Sequence, residues 1–206
     1  MLGKYRTVKH VIFAFSLCLG SLQSNASVNI SELAQDLSQS KVEDTSFTMV
    51  IWMPTVYWEA VSQNFSAISE ADIDQMILVM EPFEIFAVVN GEFDLKNSGA
   101  FKSDSYDLVA EKTHLLINSD QSLRALRHSE LSEMLRRVLE IMRPMLTQMM
   151  GELGGAMHLV AFAADAPDKE IDIDPASNGL IQLNVSQKQF SWGSRWEVYC
   201  RHAMTQ

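Results

Sequence analysis

The chain has 206 residues, with 26 acidic side chains against 16 basic ones, a formal net charge of −10 and two cysteines. That balance is a poor match for nucleic acid or an anionic lipid surface, both of which need a positive patch. Two cysteines are too few for a disulfide-stapled scaffold, so a chain of this length has to rely on a buried apolar core.

The first segment, MLGKYRTVKHVIFAFSLCLGSLQSNAS, opens with Lys4, Arg6 and Lys9, continues through an apolar run from Val11 to Leu22, and ends in Ser24-Asn25-Ala26. This is the three-part pattern of a secretory signal peptide, cleaved after Ala26. The run is short for a membrane span, which needs about 20 apolar residues. A twin arginine, which would mark a different export route, is absent from the segment. Leu17 stands immediately before Cys18, where a lipoprotein site needs a small residue. The expectation is a signal peptide over 1–26 and a single globular domain over 27–206 with a short flexible tail. That domain is expected to be soluble, periplasmic or secreted, and not inserted in a membrane after cleavage. The leader holds three basic residues and no acidic one, so its removal leaves a net charge of −13.

The mature chain keeps one cysteine, Cys200, in the tail. In an oxidising compartment it can stay free, act as a reactive thiol or form an intermolecular disulfide. A free or adventitiously paired thiol is the simplest reading, because the tail RHAMTQ shows no core pattern.

In chain order, Asn29-Ile30-Ser31-Glu32 has capping-box spacing, and Ile30, Leu33 and Leu37 share a helical face. Ser46 to Met53, SFTMVIWM, suits a strand buried on both faces. Pro54 stops it, and Thr55 can cap a short helix from Val56 to about Asn64. Ser69 opens a helix whose Ile73, Met76, Ile77 and Met80 form a stripe ending before Pro82. Glu84–Val89 reads as a strand, and Asn90-Gly91 as the turn of a hairpin into EFDL. Residues 97–107 read as a loop, and YDLVAEKTHLLIN as a strand pair turning near Glu111-Lys112.

The longest helix runs from about Ser129 to Met150, with Leu131, Leu135, Val138, Met142, Met145 and Met149 on one stripe. Pro144 is expected to kink or interrupt it, and Gly151 to end it. HLVAFAA from His158 reads as a buried strand. LIQLNV, a turn at Ser186-Gln187-Lys188 and QFSW form a last hairpin. The whole is an α+β domain, a largely antiparallel sheet with helices packed against it.

The acidic loop from Asp165 to Gly179 fails both calcium-loop registers: Ala176 and Val185 occupy ligand positions in one, and Ile173 replaces the glycine in the other. Met142, Met145, Met149, Met150 and Met157 beside His158 could offer soft ligands to copper, but three of them lie on the stripe the helix has to bury. His114, His128, His158 and His202 show no metal-ligand spacing. Nucleophile-elbow and phosphate-loop motifs are absent. No cofactor and no metal are therefore expected.

The residues left are Trp52, Tyr57, Trp58 and Glu59, grouped around Pro54. Aromatic rings beside an acid can stack on a sugar or another flat ligand. The simpler reading is that the three rings clamp strand to helix, which leaves Glu59 unexplained.

At IWMP and YW, followed by MEPF, EIFAVVNGEF, MHLVAFAA and FSWGS, the chain resembles an uncharacterised family of exported bacterial proteins. The resemblance covers most of the mature chain. It implies that the Trp-Met-Pro corner belongs to the family's framework or its site. It also implies a cysteine-containing tail, and with Cys200 alone a tail metal site is in doubt. The function expected is a non-catalytic binding or interaction module, taking a protein or a small-molecule or glycan ligand. The alternative is a hydrolase of cell-envelope glycan or peptide that uses carboxylates such as Glu59 or Glu81.

Overall fold

The computed structural model describes residues 35–54, 57–58, 69–96, 100–117, 121–163 and 181–192. The segments 1–34, 164–180 and 193–206 lie outside them, and with them the signal peptide, most of the first helix, the acidic loop and Cys200.

The architecture is α+β, as expected, and its antiparallel strands form two sheets. The first sheet is built on β1 (Ser38–Glu43), β2 (Ser46–Trp52), β3 (Glu84–Asp94), β4 (Ala100–Ser103) and β7 (His158–Phe162). Its order is β1-β2-β3-β4, and β7 pairs β3 as well. One long strand makes this arrangement work. β2 lies along one side of β3, while the other side pairs β7 over Glu84–Val88 and β4 over Gly91–Asp94. The second sheet runs β6 (Gln121–Arg124), β5 (Thr113–Ile117), β8 (Ile181–Val185), β9 (Lys188–Trp192).

β2 is buried from Phe47 to Trp52 and β3 from Ile85 to Gly91, as apolar runs on both parities predict. β8 and β9 alternate buried with half-buried or exposed residues, so the second sheet keeps one face toward solvent. The turn between them puts Ser186 and Gln187 at φ 48° and 73°. Two successive positive φ values match the right-handed twist of the hairpin, and Lys188 is already the first residue of β9.

Helix α1 (Glu70–Met80) starts where expected, its N-cap Ser69 accepting a hydrogen bond from the Asp72 amide. Of its stripe only Met80 is buried; Ile73, Met76 and Ile77 are half-exposed. Helix α3 (Glu133–Met150) begins at Ser132, after a 3-10 turn over His128–Glu130. It buries Leu135, Val138, Leu139, Met142 and Leu146, and it continues through Pro144. Gly151, at φ 62° and ψ −138°, turns the chain into the short helix α4 (Glu152–Gly155). Both sheets and the helices share one hydrophobic core.

Three expectations give way. Asn90-Gly91 is not a turn, because β3 runs straight through it. Gly91 is needed for a close approach: a Cβ there would stand 2.2 Å from the Lys102 carbonyl oxygen of β4. The loop expected over 97–107 contains β4. The first strand expected in YDLVAEKTHLLIN is instead helix α2 (Tyr106–Glu111), which follows Ser105 and buries Val109 and Ala110.

Candidate functional site

Trp52 ends β2, Phe86 stands opposite it on β3, and Phe162 stands opposite Glu84 on β7. Side chains directly across an antiparallel pair share a face, so Trp52, Glu84, Phe86 and Phe162 point the same way. Trp192 comes down from the second sheet to meet them. Its ring lies 6.1 Å from Trp52 and 5.5 Å from Phe86, Trp52 stacks on Phe86 at 6.3 Å, and Phe162 meets Phe86 edge-on at 5.7 Å. The indole N–H of Trp192 donates to the Leu37 carbonyl at 3.1 Å. This aromatic seam joins the two sheets.

Glu84 is the acid of the seam. The Trp52 indole N–H donates to its Oε2 at 2.9 Å. Burial pushes its pKa from the ordinary 4.5 up to about 7, against the opposing effect of that hydrogen bond.

Trp52, Tyr57 and Trp58 are all buried. Tyr57 and Trp58 meet edge-on at 5.2 Å, Trp58 Nε1 donates to the Met53 carbonyl at 3.1 Å, and the Tyr57 amide donates to Pro54. Burial raises the Tyr57 hydroxyl to about 12. The structure thus joins Tyr57 and Trp58 at the corner and sends Trp52 into the seam. Glu59 lies outside the described residues, and Glu81 is an exposed C-cap of α1. The acid brought to an aromatic ring is Glu84. Sequence reasoning missed it because the Trp52–Glu84 contact runs diagonally across two strands, and register is not legible in one chain.

At the other end of the strands a polar chain crosses between the sheets. Lys188 Nζ donates to Ser46 Oγ at 2.6 Å and to Thr48 Oγ1 at 3.1 Å, and Thr48 donates to Asn90 Oδ1 at 2.6 Å. Asn90 Nδ2 donates to Asp104 Oδ2 at 2.8 Å, which also accepts from Lys112 at 3.3 Å. Thr48, Asn90 and Lys188 are buried. Burial lowers the Lys188 pKa, with Glu43 acting the other way and Lys41 adding to the drop. Among the described residues, no carboxylate lies within ion-pair distance of this ammonium.

Beside α2, the Tyr106 ring meets His128 at 5.7 Å and His158 at 5.9 Å, both edge-on, and its hydroxyl donates to the Leu126 carbonyl. His158 Nε2 lies 2.8 Å from the Asp104 carbonyl oxygen, and burial lowers its pKa. Among the described residues, no group of three His, Cys, Asp or Glu side chains gathers to hold a metal. No described helix is long and apolar enough to cross a membrane.

Among the described residues the exposed large apolar side chains are Val42, Leu78, Leu95, Leu108, Met134 and Ile141. Leu78 on α1 and Met134 on α3 are each 64% exposed, and Ile141 on α3 is 53% exposed. A shallow depression of about 590 Å³ lies alongside, lined by Glu140, Arg143, Pro144, Thr147 and Gln148.

Neither protein-family models, curated proteins nor solved structures match this chain.

Proposed function

We propose that the chain is an exported, periplasmic binding module with no catalytic step, and that it engages a protein partner through the apolar surface left open by α1 and α3. The observation that carries this reading is the exposure of Leu78, Met134 and Ile141. Met134 and Ile141 are two turns apart on one side of α3, and α1 and α3 are in contact. Exposed apolar side chains on two helices in contact, with the charged Glu133, Arg137 and Glu140 exposed along α3, have the make-up of an interface core with a charged rim. The buried rings of the Trp52 seam and the Tyr57–Trp58 corner belong to the same hydrophobic core as the buried faces of the helices.

The test is site-specific photo-crosslinking in the exported compartment. A crosslinker at Leu78 or Ile141 is expected to give one adduct of defined mass, and a crosslinker at exposed His114 on the second sheet to give none. Equal labelling at all three positions, or no adduct at Leu78 and Ile141, overturns the reading.

One observation favours a second reading. Glu84 keeps its proton up to about pH 7, as a general acid must, and this supports a carboxylate-dependent hydrolase of envelope glycan or peptide. Turnover of such substrates that is lost in Glu84→Gln would replace the first reading with this one.

A further inference from the structure

Glu84 occupies an unusual place for a carboxyl group. It opens the central strand β3, with Phe162 of β7 opposite it, Phe86 next along its own face, and the Trp52 indole on its Oε2. Phe86 and Trp52 both carry the Trp192 ring of the other sheet. The acid therefore sits against the aromatic cluster that joins the two sheets at this end of the strands.

We propose that Glu84 is a proton-operated latch on the seam between the sheets: protonated, it packs beside the rings and the seam closes; ionised, it loosens the contact of Trp52 and Phe86 with Trp192.

Two physical facts carry this. A carboxylate beside apolar rings costs more than the neutral acid: Glu84 is half-buried, and the Trp52 indole N–H replaces only part of the water it gives up. The second fact is that, among the described residues, no cation lies within ion-pair distance of it. From β2 the group facing Glu84 is the Trp52 indole, from β7 it is Phe162, and the second sheet reaches this end of the seam through Trp192. The charged or titratable residues on these elements lie toward the opposite end of the strands: His158 on β7, Glu92 and Asp94 on β3, Lys188 on β9. β2 carries none, and Glu81, three residues before Glu84, is exposed. Among the described residues, burial and the indole hydrogen bond are the only influences on this carboxyl.

The latch works in the range that a compartment open to the surroundings would experience. Acid closes it and mild alkali releases it. The inference does not depend on which ligand the helical surface takes.

The test uses the full chain with glutamate carboxyl-labelled by carbon-13, titrated by NMR with tryptophan emission followed in parallel. One carboxyl is expected to titrate near pH 7, and to be absent in Glu84→Gln, which keeps the shape and the acceptor oxygen. Emission is expected to shift over the same range in the wild type and to stay flat in the variant. Trp52→Phe removes the hydrogen bond that favours the ionised form, so the midpoint moves to higher pH. His158→Asn serves as the control for the imidazole on the same sheet and leaves the midpoint in place. The proposal is overturned if the Glu84 carboxyl titrates in the ordinary carboxylate range, if the emission change persists in Glu84→Gln, or if it disappears in His158→Asn instead.

Discussion

Gln39 and Ser191 bond to each other twice: Gln39 Nε2 donates to the Ser191 carbonyl at 2.6 Å, and the Ser191 amide donates to Gln39 Oε1 at 3.3 Å. Among the described residues no strand lies beyond β9, and a side-chain amide takes the place of one. It stitches the edge of the second sheet to β1, the edge of the first, and blocks a site where another chain could add a strand. Gln39→Ala is expected to cost about 1 kcal/mol by urea denaturation. It is also expected to raise self-association in sedimentation, whereas Gln39→Asn, one methylene shorter, should fall between.

Glycine positions separate cleanly by what surrounds them. A methyl on Gly91 would meet Lys102 O at 2.2 Å and Ser103 Cα at 2.9 Å, and one on Gly154 would meet Leu146 O at 2.1 Å. In both cases the obstacle is backbone. Gly91→Ala and Gly154→Ala should each cost about 2–3 kcal/mol. Gly155 has only Thr147 Oγ1 nearby, at 3.9 Å, so Gly155→Ala should be neutral or slightly stabilising in the same thermal melts.

Along the polar chain, the amide matters more than the ammonium. Asn90 both accepts from Thr48 and donates to Asp104 while buried on the central strand. Asn90→Ala leaves the Thr48 hydroxyl without its acceptor and should cost about 2–3 kcal/mol. Lys188→Met removes a buried charge that has no carboxylate partner among the described residues and keeps the volume, so its cost should stay under about 1 kcal/mol. Paired denaturation curves decide; a larger loss at Lys188 than at Asn90 would reverse this ranking.

Stability should depend on pH with a definite sign. Glu84 keeps its proton in the folded state up to about pH 7, whereas its ordinary value is 4.5. The unfolded chain therefore loses the proton first, and folded stability falls as pH rises from 4.5 to about 7, then levels. An upper bound for the fall is about 3 kcal/mol. His158 acts in the opposite sense, since its lowered pKa makes the folded state resist protonation as pH drops below 6.5. Denaturation at a series of pH values should show the Glu84 slope vanish in Glu84→Gln and the His158 slope remain.

Where the sequence was legible, a pattern repeated within one element. β2 and β7 read as doubly buried strands from their apolar runs, the last hairpin from alternation around Ser186-Gln187, and α1 and α3 from their caps and stripes. The strands β1, β4 and β6, with the sequences SQSKVE, AFKS and QSLR, carry no such pattern. They are short and mostly polar, and their state is decided by the strand they pair with. Helix α2 has the sequence pattern of a strand, because Val109 and Ala110 are buried by tertiary packing, which six residues cannot announce. The same limit applies to the sites. Trp52 was singled out from its neighbours in sequence, but Glu84 and the Lys188–Thr48–Asn90 chain exist only through register, between residues as far apart as 48 and 188.

The shared flank of β3 sets a timetable for the chain as it is made. Once residues up to Ser103 are available, β1, β2, β3 and β4 can assemble, and the far half of β3 is covered. The flank from Glu84 to Val88 must wait for His158–Phe162. Until then a strand edge reading EIFAV is bare, with its amides and carbonyls open to any passing strand. Delay in synthesis or delivery of the second half of the chain is therefore the moment at which this protein is most exposed to aggregation, and a factor that covers that edge for the interval would protect it.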